Sequence, residues 1–90
     1  MAAELAPSIR LNCVNPGPVA TKMVEQVGFD MNRFRKIGAQ QNLLKRVGDP
    51  DEVAQSVLFL ADGSKSGYIT GAQLSIDGGF NVLPTIWHVE

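Results

Sequence analysis

Residues Ile9 to Met23 read IRLNCVNPGPVATKM. Ile9 to Asn15 reads as a buried β-strand, with Ile9, Leu11 and Cys13 on one face and Arg10, Asn12 and Val14 on the other. Pro16-Gly17-Pro18 ends the strand. The prolines fix φ and supply no N–H, and a glycine lets the backbone approach a ligand closely. Thr21 is placed to cap a short helix over Lys22–Val27, closed by Gly28. In α/β proteins a loop at the carboxyl end of a strand is where ligands bind. By spacing alone, a ligand loop and a plain strand–turn–helix junction are equally good readings.

Upstream, Ala2 to Ala6 favours helix and Pro7 stops it. Five residues cannot nucleate a helix alone, so this reads as the last turn of a helix whose beginning is absent. Within the strand, Cys13 is expected to be a small buried apolar residue, with no basic cluster beside it to activate the thiol. Asn12 and Asn15 are expected to bond backbone groups.

Downstream, Asp30 is placed to cap a short helix carrying Met31, Phe34 and Ile37 and ending at Gly38. Arg33, Arg35 and Lys36 form its solvated face, or a patch that attracts an anionic substrate. Leu43 to Gly48 has no clear period. The plainest helix is Pro50 to Asp62. Asp49 suits the N-cap, Pro50 the first helical position, and Glu52 the third position of a capping box. Val53, Ala54, Val57, Leu58 and Ala61 form an apolar stripe that Phe59 and Leu60 widen, and Gly63 is the expected stop. So broad a face calls for burial against a sheet on one side and another subunit on the other.

Ser64 to Gly71 reads as a loop in which Tyr68 packs or hydrogen-bonds. Ala72, four residues on, cannot lower the Tyr68 pKa as a lysine would. Gln73 to Asp77 is the second strand, with Leu74 and Ile76 on one face, and Gly78-Gly79 is a turn. Phe80 to Glu90 is a tail in which Phe80, Val82, Leu83, Ile86 and Trp87 are available for docking.

Bulk properties narrow the function classes. The chain has 90 residues, 44% of them hydrophobic, and a formal net charge of -1. That is one small domain at most, or part of a larger one. No basic stripe points to nucleic acid, and no apolar run is long enough to cross a bilayer. One cysteine excludes a disulfide framework, and His88, the one histidine, has no second metal ligand near it in sequence. With no targeting signal at the N-terminus, a reducing, cytoplasmic setting is the expectation.

Four pieces in order, ELAPSIRLNCVNPG, PVATKM, RVGDPDEVAQSVLFLAD and YITGAQLSIDGGF, give the chain a resemblance to the carboxyl-terminal part of the classical short-chain dehydrogenase/reductases. The resemblance covers about Glu4 to Phe80. It resembles the group of 3-oxoacyl reductases, sugar and polyol dehydrogenases and tropinone-reductase-like enzymes. It implies an α/β fold: the C-terminal portion of a Rossmann-type doubly wound parallel sheet, incomplete, with its last two strands and the helices between them. Pro16 and Gly17 match the Pro-Gly beside the nicotinamide of an NAD or NADP cofactor. Val19 matches the position whose backbone bonds the carboxamide. Thr21 matches the hydroxyl that contacts the carboxamide or the pyrophosphate. Residues 22–48 match a variable substrate lid, and residues 50–62 and 73–77 match the helix and strand that pair subunits, so a homo-oligomer is expected.

The family's Gly-rich phosphate loop, its catalytic serine and its Tyr-x-x-x-Lys pair have no match in the chain. The expected catalytic residues among these positions are therefore none, and no metal is expected. In the family mechanism the tyrosine exchanges a proton with the substrate oxygen while hydride moves to or from the nicotinamide. The expectation is part of an NAD(P)-dependent oxidoreductase that interconverts alcohols and ketones, inert by itself. The alternative is a non-catalytic short isoform that pairs with full-length subunits. Two strands joined by a helical crossover would be parallel neighbours with an open edge on the first, a marginal arrangement alone.

Overall fold

The computed structural model describes residues 1–80. Seven elements follow in order: α1 (Ala2–Leu5), β1 (Cys13–Pro16), α2 (Lys22–Gln26), α3 (Met31–Ala39), α4 (Pro50–Ala61), α5 (Gly63–Ser66) and β2 (Gln73–Ile76). The expected docking residues Val82, Leu83, Ile86 and Trp87, and His88, lie outside the described residues.

β1 and β2 form a parallel pair with Cys13 opposite Gln73 and Pro16 opposite Ile76. A parallel pair needs a crossover, which α2 to α5 supply. The ladder begins at Cys13, four residues later than the apolar pattern predicts. Before it, one backbone bond, from the Gly71 N–H to the Leu11 carbonyl at 2.7 Å, is joined by bonds to side chains. The Leu11 N–H donates to Thr70 Oγ1 at 3.0 Å, and the Ala72 N–H donates to Asn12 Oδ1 at 2.9 Å. Regular pairing starts where the Cys13 N–H reaches the Ala72 carbonyl at 2.9 Å. Asn12 therefore bonds backbone as expected, its amide also donating to the Ile69 carbonyl.

Only one face of β1 is covered. Val14 is half-buried, and it shares a shallow cleft with Val57, Leu60 and Ala61 of α4. The opposite face carries Ile9, Leu11 and Cys13, and all three are exposed. This corrects the expectation of a buried Cys13: its neighbours on that face are open because nothing among the described residues packs there. Parallel sheets are ordinarily sandwiched on both faces.

α4 starts as its sequence dictates. Glu52 Oε1 accepts from the Asp49 N–H at 3.0 Å, and Pro50 occupies the first turn, where no N–H is needed. Its stop comes at Asp62 rather than Gly63. Asp62 turns extended and its carboxylate accepts from the Ser64 N–H at 3.0 Å, which opens α5 inside the stretch expected to be loop. The wide apolar face of α4 stays largely uncovered. None of its residues is buried, and Leu58 is 61% exposed.

Two small knots hold the elements. In the first, the Arg10 guanidinium donates to the carbonyls of Leu60, Ser66 and Ile69 at 2.9 to 3.0 Å. It thereby ties the end of α4, the end of α5 and the approach to β2 to the segment before β1. Ser66 is buried beside it, its hydroxyl donating to the Phe59 carbonyl at 2.7 Å. In the second, Val47 and Asn42 are buried against the carboxyl ends of the strands. α3 runs through Gly38 to Ala39 instead of ending there. Gly38 is buried within it because a Cβ would strike Val47 Cγ1.

Candidate functional site

The loop Pro16–Thr21 leaves the carboxyl end of β1 and crosses the end of β2. The Gly17 N–H donates to the Ile76 carbonyl at 3.0 Å. Gly17 lies so close to β2 that a Cβ there would sit 2.8 Å from Asp77 Cβ, which explains the glycine. Beyond it, Val19 pairs with Gly48 as an isolated parallel bridge. The Gly48 N–H donates to the Pro18 carbonyl and the Ala20 N–H to the Gly48 carbonyl, both at 2.9 Å. The Thr21 N–H then turns back to the Val19 carbonyl at 2.9 Å.

These bonds fix which groups remain for a ligand. Pro16 and Pro18 have no N–H. The N–H groups of Gly17, Ala20 and Thr21 are spent on backbone. The Val19 N–H has no acceptor among the described residues. Thr21 stands at the N-cap of α2, yet its hydroxyl makes no capping bond. A backbone donor and a hydroxyl two residues apart, at the mouth of a sheet, suit a planar amide, which both donates and accepts.

A cleft of about 330 Å³ opens behind this loop, walled by Pro18, Val19, Leu43, Leu44, Val53 and Ile76. Its floor is the return limb from α3 to α4. The limb is clipped to the β2 turn, where the N–H groups of Leu43 and Leu44 donate to the Gly78 carbonyl at 2.9 and 3.1 Å. Its far end is held by charge. Arg46 grips Glu52 with paired bonds of 2.7 and 2.8 Å. The Arg46 bonds, then the Asp49 N–H, hold the Glu52 carboxyl down at about 2, and the Glu52 bond raises the Arg46 pKa. Asp62 is lowered by its bonds from Ser64.

Pro16, Gly17, Val19 and Thr21 thus fall in one continuous loop. Tyr68 does not pack as expected; it is fully exposed at 104%. Arg33, Arg35 and Lys36 are exposed on α3, consistent with a solvated face. No group of three or more His, Cys, Asp or Glu side chains gathers among the described residues. No described helix is long and apolar enough to cross a membrane. Arg10 and Asn42 were not legible as anchors. Their signal is a polar residue interrupting an apolar run, which any solvated position also gives.

The family model described as Enoyl-(Acyl carrier protein) reductase matches residues 1–81. The chain belongs to the short-chain dehydrogenase/reductase family. A cyclopentanol dehydrogenase of Comamonas testosteroni is 40% identical over 80 residues, which cover 88% of this chain and 31% of that one. A 3-oxoacyl-[acyl-carrier-protein] reductase of Chlamydia trachomatis is 42% identical over 72 residues, 80% of this chain and 27% of that one. Among solved structures, the Thermoplasma acidophilum aldohexose dehydrogenase superposes with a TM-score of 0.78 at 34% identity, over 90% of this chain and 34% of that one. A Caenorhabditis elegans short-chain dehydrogenase/reductase solved with its cofactor gives 0.79 at 33% identity, over 90% and 32%. The chain spans about a third of each of these short-chain dehydrogenase/reductases. The fold is accordingly the Rossmann type, and the two described strands are part of its parallel sheet.

Proposed function

We propose that this chain supplies one wall of the nicotinamide pocket, and the substrate lid, of an NAD(P)-dependent oxidoreductase that interconverts an alcohol and a carbonyl. The observation that carries it is the loop Pro16–Thr21. Its Gly17 is pressed on Asp77, and its Val19 N–H has no acceptor among the described residues. A bound nicotinamide supplies or accepts the hydride. The Val19 N–H and carbonyl would hold the carboxamide beside Pro16 and Gly17, and the Thr21 hydroxyl would give a further bond to the carboxamide or the pyrophosphate. Residues 22–48 lie over the substrate and exclude water. Among the described residues, none is assigned to move the proton on the substrate oxygen.

The exposed Val57, Leu58 and Phe59 on α4 suit pairing with another subunit. The same surface fits a second reading, in which the chain is a non-catalytic partner of full-length subunits.

The test starts with the mass of the native polypeptide, by immunoblot against FNVLPTIWHVE and intact mass spectrometry. The native protein is then assayed for NADH and NADPH oxidation with a panel of ketones. Turnover by the native protein and none by the isolated 90 residues is the expected result. Turnover by the 90 residues alone would overturn the placement of the acid–base groups outside this chain. A native mass of 9.7 kDa favours the non-catalytic partner.

A further inference from the structure

The stretch QNLLKRVG carries α3 back to α4 with one buried polar side chain, Asn42, which is 2% exposed. Its amide nitrogen donates to the Gly38 carbonyl at 3.3 Å and to the Arg46 carbonyl at 2.8 Å. Its carbonyl oxygen accepts from the Lys45 N–H at 2.8 Å. The three partners have fixed polarity, so the amide can sit only one way round. Each bond has a distinct mechanical effect. The first holds the last turn of α3. The other two close the turn in which Lys45 adopts a positive φ of 60°, a conformation a non-glycine residue keeps only when its surroundings enforce it.

Asn42 also packs on the turn after β2. A Cβ on Gly78 would lie 3.1 Å from the Asn42 side chain, and one on Gly38 would lie 3.3 Å from Pro18 Cβ. The same side chain thus touches the end of α3, the return limb and the β2 turn. These are the places where residues 22–48 are fastened beside the loop Pro16–Thr21.

We infer that Asn42 is a positioning residue that sets how α3 lies over the nicotinamide loop, and through it the affinity for substrate. The inference rests on the reading of residues 22–48 as a substrate lid. Both polar groups of the Asn42 amide are spent on backbone, so it acts through the segments it holds. Its removal therefore loosens the lid and leaves the Val19 backbone and Thr21 in place.

The experiment uses the native polypeptide with Asn42→Ala and, as a milder change that keeps one donor, Asn42→Ser. Trypsin reads the lid through the exposed Arg33, Arg35 and Lys36, with exposed Lys65 of α5 as an internal control. Asn42→Ala is expected to speed cleavage at the three lid sites about tenfold with Lys65 unchanged, and Asn42→Ser less. NADH and NADPH fluorescence titrations should give affinities within about twofold of the parent, while KM for the ketone that the native protein turns over fastest in the panel rises about tenfold with kcat held. Equal acceleration at Lys65, or no acceleration at the lid, overturns the inference. So does a fall in cofactor affinity that matches the rise in KM. If Asn42→Ala does not fold, the Asn42→Ser cleavage pattern decides by the same criteria. Selective lid cleavage in a protein that binds neither NADH nor NADPH supports the fastening role of Asn42 and overturns the reading of the site.

Discussion

Gly17 and Asp77 close the carboxyl ends of the two strands against each other, with only 2.8 Å between the Asp77 Cβ and the place where a Gly17 Cβ would stand. Asp77 Cα is 3.0 Å from the same point, so backbone as well as side chain blocks it. Gly17→Ala must part β1 from β2 or push the loop outward. Overpacking of this kind costs about 1–3 kcal/mol. A urea titration of the native protein should show that loss, with cofactor affinity falling alongside because the Val19 N–H moves with the loop. An unchanged midpoint would show that the strand ends yield freely.

Thr21→Val separates binding from folding. The hydroxyl makes no capping bond, so its removal should leave the melting temperature nearly unchanged. One lost hydrogen bond to a ligand is worth about 1 kcal/mol, or about fivefold in affinity. Calorimetric titration with NADH and NADPH checks it. A drop in melting temperature without a change in affinity would assign Thr21 to the helix alone.

Arg10 should prove a structural anchor. Arg10→Ala leaves the carbonyls of Leu60, Ser66 and Ile69 without the donor they share, at a cost of about 1–3 kcal/mol. Arg10→Lys should recover only part of this, since an ammonium cannot reproduce the planar fork. Urea midpoints of the two variants measure the difference. Amide exchange should quicken first over Gly63–Ser66.

The Arg46–Glu52 pair predicts an acid response. The folded Glu52 carboxyl sits at about 2 against an ordinary 4.5. A lowered folded pKa means its contribution is complete above the ordinary value and fades as pH falls toward about 2. The stability gap between the parent and Glu52→Gln should therefore be constant at neutral pH and close below about 4.5. Both partners are about half exposed, so salt should narrow the gap at neutral pH as well.

Residues with strong local chemistry could be read without the fold. Asp49, Pro50 and Glu52 start α4 because a cap, a missing N–H and a reciprocal carboxylate act within one turn. Asp30 caps α3 through the Asn32 N–H for the same reason. The parallel pairing of β1 with β2 follows from two short strands separated by helical spacing. Pro16, Gly17, Val19 and Thr21 are neighbours in sequence, so their gathering in one loop needs no long-range contact.

What failed depended on partners remote in the chain. Cys13 has the composition of a buried strand residue, but burial requires a second layer, and its face has none among the described residues. Tyr68 is exposed for a similar reason. Gly38 looked like a helix stop, yet its lack of a side chain serves Val47 and Pro18 rather than the local backbone. Asn42 and Arg10 look like ordinary solvated residues until tertiary structure brings buried carbonyls to them. The sequence by itself determined the starts of α3 and α4, the pairing of the two strands and the composition of the loop, because those rest on interactions within a few residues or on the spacing of short elements. Only the tertiary structure decided which polar side chains are anchors and which apolar faces stay open, because both depend on what the crossover carries back against the strands.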